Sequence, residues 1–398
     1  MALRGECSIT ERHRNRVVLA LTAKGTRMPD IRATVTSATG LGLCLTFLPA
    51  GQAQAQTTRV PCNDIAALRA AITDANTGGG SIVLAPRCVY TLRQADNAGD
   101  GLPEITGNVQ ITGDNSIIER SSPAGFRIFH VKEGGSLSLK CITVRYGQTI
   151  AGDGDGGGVF NERGTLTLTD STVRNNIAGV GGGIWNRQGT LTLKNTRVTN
   201  NRGGFGGGVA TNGTMTMEGG TLHDNTGGEW GGGLANAGDT KLNHVLINGN
   251  DAGEYGGGIV TLAINLRTGP LRVDNIKIRD GIARTNGGGL FTGANETTTI
   301  NRSVITRNTS NGGPTTGGGI GNPGTLLRLF IGGTNSSPRK EVKENKGSKG
   351  SKGSKKSKGN STKQTPFRVD LIQSAVFKND PTNCAPPNSV PGCDTRRK

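Results

Sequence analysis

Aromatic side chains are scarce in this sequence: two Trp, three Tyr and nine Phe in 398 residues, or 4%. Hydrophobic residues of all kinds reach only 32%. A broad, aromatic-rich globular core is therefore excluded. Histidine is scarcer still, with His13, His130, His223 and His244 scattered along the chain. No Cys/His spacing of a zinc site appears, and no Ser-His-Asp arrangement can be argued. No cofactor or metal is expected. What is abundant is glycine, 66 residues. The glycines cluster in triplets and do not fall at every third position, which excludes collagen. Val, Ile and Leu recur in a fixed pattern, which excludes wholesale disorder. A thin, repetitive core remains.

The net charge of +17 is unevenly distributed. Residues 1–55 carry +4, residues 339–364 carry +8, and the rest of the chain carries only +5. The high isoelectric point thus comes mainly from two short segments, and no specific nucleic-acid partner is expected. Residues 33–50 form the one long, weakly polar run. Arg27 and Arg32 precede it and Ala53-Gln54-Ala55 follows it. A positive flank, an apolar stretch and an Ala-x-Ala exit make a secretory signal peptide, with Met28 as a second start position; a single membrane anchor is the alternative. Export makes disulfides reasonable. Removal of the signal takes Cys7 and Cys44 with it. Cys62 is then expected to pair with Cys88 and Cys384 with Cys393, one clip at each end, leaving Cys141 as a small buried residue.

Periodicity decides the fold. Gly-Gly-Gly begins at Gly156, Gly181, Gly206, Gly231, Gly256, Gly287 and Gly317, with spacings of 25, 25, 25, 25, 31 and 30. An apolar residue follows each triplet. Next comes a short alternating strand opened by glycine, such as Gly164-Thr-Leu-Thr-Leu168 or Gly189-Thr-Leu-Thr-Leu193. A third short segment ends in Val173, Val198, Leu222 or Ile247 and closes on Asn176, Asn201, Asn225 or Asn250. Alternation places Leu on one face and Thr on the other.

Each unit reads as three short strands, one coil of an all-β, single-stranded parallel β-helix. Stacking at about 4.8 Å would turn equivalent positions into ladders, and about nine or ten coils would make a rod near 45 Å long. Leu166, Leu191 and Met215 form one such row, and Asn176, Asn201, Asn225 and Asn250 form a polar one. Right-handedness follows from the preference of parallel crossovers. The Gly triplets have neither the strand-to-helix context nor the Lys of a phosphate-binding loop.

The chain divides into a signal segment (1–55), an N-terminal cap (56–100) with a short helix from Asp64 to Asn76, the β-helix (101–338), an insertion (339–364), and a last coil with C-terminal cap (365–398). The insertion is Gly/Ser/Lys low complexity with almost no apolar residue, and is expected to be disordered. It reads as a solvated loop, or as a basic arm drawn to an anionic surface.

The GGG-[Ile/Val/Leu] and Gly-Thr-Leu-Thr-Leu coils resemble bacterial right-handed parallel β-helix repeat proteins, including those grouped with polymorphic outer-membrane proteins. The resemblance covers residues 62–335 and 365–395. Cys62 with Leu68-Arg69-Ala70-Ala71-Ile72 resembles the Cys…Leu-Arg-x-Ala-Ile cap of such secreted proteins. It implies an exported, surface-associated or adhesin-like protein, found outside the cytoplasm or at the cell surface. The autotransporter members carry a C-terminal barrel, which is not expected here.

Parallel β-helices also carry polysaccharide lyases and glycosidases. The repeat places Glu229 and Glu254 at one position of adjacent coils, each directly before an aromatic residue and a Gly triplet. Phe205, Trp230 and Tyr255 should form an aromatic ladder, and Trp185, past the triplet on another segment, extends the surface. This face reads either as a structural turn or as a sugar-binding platform; a catalytic carboxylate pair is a third reading. Asp153-Gly-Asp155 reads as a turn, not as a calcium loop. The sequence reading is a monomeric binding protein for a glycan or cell-envelope polymer. The alternatives are a carbohydrate-active enzyme on the same scaffold and a purely structural surface protein.

Overall fold

In the computed structural model, the described residues are 56–149, 154–264, 269–293, 297–322, 328–329, 368–386 and 389–393. Residues 1–55, read from the sequence as a signal segment, and the 339–364 insertion lie outside them. The described chain is an all-β parallel solenoid with one helix. Three stacks of strands, in sheets of 17, nine and six strands, run along it, and all pairings are parallel.

The repeat sets the register. Leu191 pairs with Leu166 on one side and Met215 on the other. All three side chains are fully buried. The row continues through Thr240, Leu271, Thr298 and Val369. Ser136–Arg145 joins it one coil earlier, with Leu137 opposite Leu166. The outward residues of the same strands, such as Thr165, Thr190 and Thr214, are exposed, as period-two alternation requires. Residues 368–377 close the stack, with Leu371 against Ile300 and Val376 against Ile305.

The Gly triplets answer two steric demands. The first glycine holds a left-handed φ, +62° at Gly181, which only glycine adopts freely. At the second the coils touch. A Cβ on Gly182 would lie 2.4 Å from the Arg202 carbonyl and 2.5 Å from that of Gly207.

The asparagine ladder forms as expected. Asn176 Nδ2 donates to Asn201 Oδ1 at 2.9 Å, and the Asn201–Asn225 and Asn225–Asn250 bonds are 3.0 Å each. Each acceptor oxygen also takes the backbone N–H of the asparagine one coil back. The second amide hydrogen goes to a carbonyl, Val144, Val173 or Val198. These polar groups are at most 1% exposed, so the burial is tolerable only because the network is complete. Gly281 interrupts the row, and Asn308 and Asn379 resume it. A second ladder escaped the sequence reading: Asn161 Nδ2 donates to Asn186 Oδ1 at 2.7 Å, and Asn186 to the Thr211 hydroxyl at 3.0 Å.

Asp64 caps the helix Ile65–Gly78 by accepting from the Ala67 N–H at 2.9 Å, and Leu68, Ala71, Ile72 and Ala75 are buried. The strand Gln56–Val60 before it pairs with Gly80–Leu84, so the cap is continuous with the long sheet. Cys62–Cys88 and Cys384–Cys393 are both bonded. Cys141 sits in the row of Asp170 and Asn195, all three with positive φ. Its side chain is buried, as expected.

Candidate functional site

The corner that precedes each Gly triplet carries the predicted site. Backbone pairing aligns Val180, Phe205 and Trp230, and bridges carry the row on to Tyr255 and Asn286. The aromatic ladder therefore exists. Its rings meet edge to face: Phe205 and Trp230 centroids are 5.7 Å apart at 90°, Trp230 and Tyr255 6.0 Å apart at 79°. Tyr255 also packs on Phe291 at 4.5 Å.

The row leans over the outer side of the nine-stranded sheet. There it joins Phe160, Trp185, Ala210, Ala235, Val260 and Phe291 in an apolar cluster distinct from the core inside the coils. Trp230 is 7% exposed and Trp185 only 3%. The two indoles are thus packing groups and present no open face, contrary to a platform built on them. Phe205 and Tyr255 remain half-buried at the rim.

The carboxylates behave differently. Glu229 and Glu254 are both exposed. They occupy successive coils, as expected, and the Glu254 N–H donates to the Glu229 carbonyl at 2.7 Å. The Trp230 indole N–H donates to Glu254 Oε2 at 2.8 Å and so fixes that side chain. Partial burial, and then the charge of Glu254, push the Glu229 carboxyl above the usual carboxylate range. The same two causes raise the Tyr255 phenol. Asp153 lies outside the described residues, while Asp155 bridges to Val180 in the same corner.

Two features escaped the sequence reading. An open groove of about 910 Å³ runs across the turns that open the Gly-Thr-Leu strands, lined by Glu133, Arg163, Gln188, Asn212 and Asp239. Arg163 links Glu133 and Gln188 within it. Aligning those turn positions coil by coil would have shown the row.

The second feature is a cluster around His130, one coil before Phe160 in the same outer row. His130 Nδ1 lies 3.3 Å from Asp100 Oδ2 and 3.4 Å from Glu104 Oε1, and its Nε2 lies 3.4 Å from Glu162 Oε2. The ring stacks on Phe160 at 4.8 Å. Arg127 holds the other Asp100 oxygen at 2.9 Å, and Lys132 holds Glu162 at 2.9 Å. Among the described residues, Asp100, Glu104 and His130 form the one group placed to hold a metal ion.

Comparison with known proteins finds no family model, no curated protein and no solved structure that matches this chain. The class defined here is that of the fold: a parallel β-solenoid with an apolar seam along one outer corner.

Proposed function

We propose that the chain is an exported, surface-associated β-helix protein that binds a glycan or cell-envelope polymer along its outer corner. One observation supports this above the others. Glu229 and Glu254, exposed in successive coils, stand beside the half-buried rings of Phe205 and Tyr255. Carboxylates accept sugar hydroxyls, and ring rims cover the apolar faces of sugars. The buried Trp230 serves this edge by anchoring Glu254. The signal-like 33–55 segment and the two end disulfides support export. The basic segment 339–364 adds attraction to an anionic polymer.

A second reading, a carbohydrate-active enzyme, is favoured by the raised Glu229 carboxyl next to a second carboxylate, the pattern of a general acid beside a base or nucleophile. The test is a panel of neutral and acidic polysaccharides offered to the full chain, with retention and release of reducing or unsaturated ends both measured, with and without calcium. Retention without products, weakened by Glu229→Gln with Glu254→Gln, is the expected result. Product formation abolished by either substitution replaces binding with catalysis. Neither retention nor product rejects both readings and leaves a structural rod.

A further inference from the structure

We infer that Asp100, Glu104 and His130 form a divalent transition-metal site of the zinc type, with an open coordination position at its solvent side. The argument begins with the imidazole. His130 is 7% exposed, and both ring nitrogens face carboxylate oxygens: Nδ1 faces Asp100 and Glu104, and Nε2 faces Glu162. A neutral imidazole has one N–H and one lone pair. Nε2 is buried and faces Glu162 at 3.4 Å without an aligned hydrogen bond. A cation between Nδ1 and the two oxygens would take the Nδ1 lone pair and leave the ring N–H on Nε2, toward Glu162. A carboxylate behind a ligating histidine is the usual supporting arrangement of metal sites.

The distances fit. Tetrahedral zinc with bonds of about 2.0–2.1 Å requires ligand atoms about 3.3–3.4 Å apart. The Nδ1–Asp100 and Nδ1–Glu104 separations are 3.3 and 3.4 Å. The third edge is at most 4.8 Å, and the Glu104 side chain, 41% exposed, is free to close it.

The backbone prearranges the set. Asn97 accepts from the Asp100 N–H, Asp100 bridges to Arg127, and the Ile105 N–H donates to the His130 carbonyl at 2.8 Å. The cations nearby do not occupy the centre. Arg127 forms an ion pair with the other Asp100 oxygen, Lys132 is 3.8 Å from Glu104 while it bonds Glu162, and Arg187 reaches Glu162 at 3.8 Å. One nitrogen and two oxygen donors suit zinc or a neighbouring transition metal, and calcium would not select the imidazole. Three protein ligands leave a fourth position for water or for an oxygen of a bound molecule.

The test uses the full chain without a histidine tag, stripped with chelator and titrated with Zn²⁺ by calorimetry and with Co²⁺ by visible absorption. One ion per chain is expected, with cobalt bands of a low-coordinate N/O site that Zn²⁺ abolishes and Ca²⁺ does not. Glu104→Gln, at a half-exposed position that does not threaten folding, should weaken binding at least tenfold, and so should Glu162→Gln through the histidine. No ion uptake by the wild-type chain overturns the site. Uptake unchanged in folded Glu104→Gln and His130→Gln chains overturns it equally.

Discussion

The indole N–H of Trp230 is bonded to Glu254 one coil further on, at 2.8 Å. A buried ring thereby holds an exposed carboxylate. The bond joins the apolar seam to the edge proposed to meet the polymer, and it makes the two aromatic roles separable by mutation.

Trp230→Ala should destabilise the solenoid by about 3–5 kcal/mol, because it empties a buried site beside Phe205 and Tyr255. Trp230→Phe keeps most of the packing and loses only the bond to Glu254. Tyr255→Ala, at a half-buried rim position, should cost less than Trp230→Ala. Thermal unfolding of the three variants checks the ranking.

The asparagine ladder predicts a sharp contrast. Asn201→Ala removes an acceptor that serves both the backbone N–H and the amide of Asn176. Leaving those donors buried without a partner should cost about 2–4 kcal/mol. Thr192→Ala, on the outward face of a neighbouring strand, should change stability by no more than about 0.5 kcal/mol. The shift in urea midpoint measures both.

Two glycines differ for a stated reason. Gly182→Ala drives a Cβ into the carbonyls of Arg202 and Gly207, so that coil cannot close and folded yield should collapse. Gly134 has φ +80° but open space around it, so Gly134→Ala should cost only the left-handed strain, about 1–2 kcal/mol. Soluble yield and thermal midpoint distinguish them.

The Glu229 carboxyl should titrate above the ordinary glutamate range in the folded chain. A raised folded-state value means that the native state binds the proton more tightly than the unfolded state. Its contribution to stability is therefore present in acid and is lost as the pH rises through the folded value. Glu254→Gln should lower the Glu229 titration only in part, because burial is the larger cause. Carboxyl NMR titration of the two chains shows the shift and its partial reversal; no difference between them would reject the charge coupling.

Much of this was readable from the sequence because every coil restates one pattern. Leu166, Leu191 and Met215, the Asn176–Asn250 ladder and the adjacency of Glu229 and Glu254 follow from spacing alone. The burial of Trp185 and Trp230 did not follow. Alternation assigns an outward position to the residue after the first apolar one in each short strand, but here the side chains of the preceding corner fold over that row and bury it. His130 was missed for a related reason: Phe129–Val131 has no Gly triplet before it, so its alignment with Val159-Phe160-Asn161 had no anchor in the repeat. Asp100 and Glu104 come from irregular chain that no period covers.

The most direct test of the central claim is a binding titration of whichever polysaccharide the full chain retains, comparing wild type with Glu229→Gln/Glu254→Gln and with Tyr255→Ala, each first shown to be folded. The account predicts at least tenfold weaker binding for the double carboxylate variant and a smaller loss for Tyr255→Ala. Binding unchanged in both would contradict it and move the polymer to another face of the solenoid.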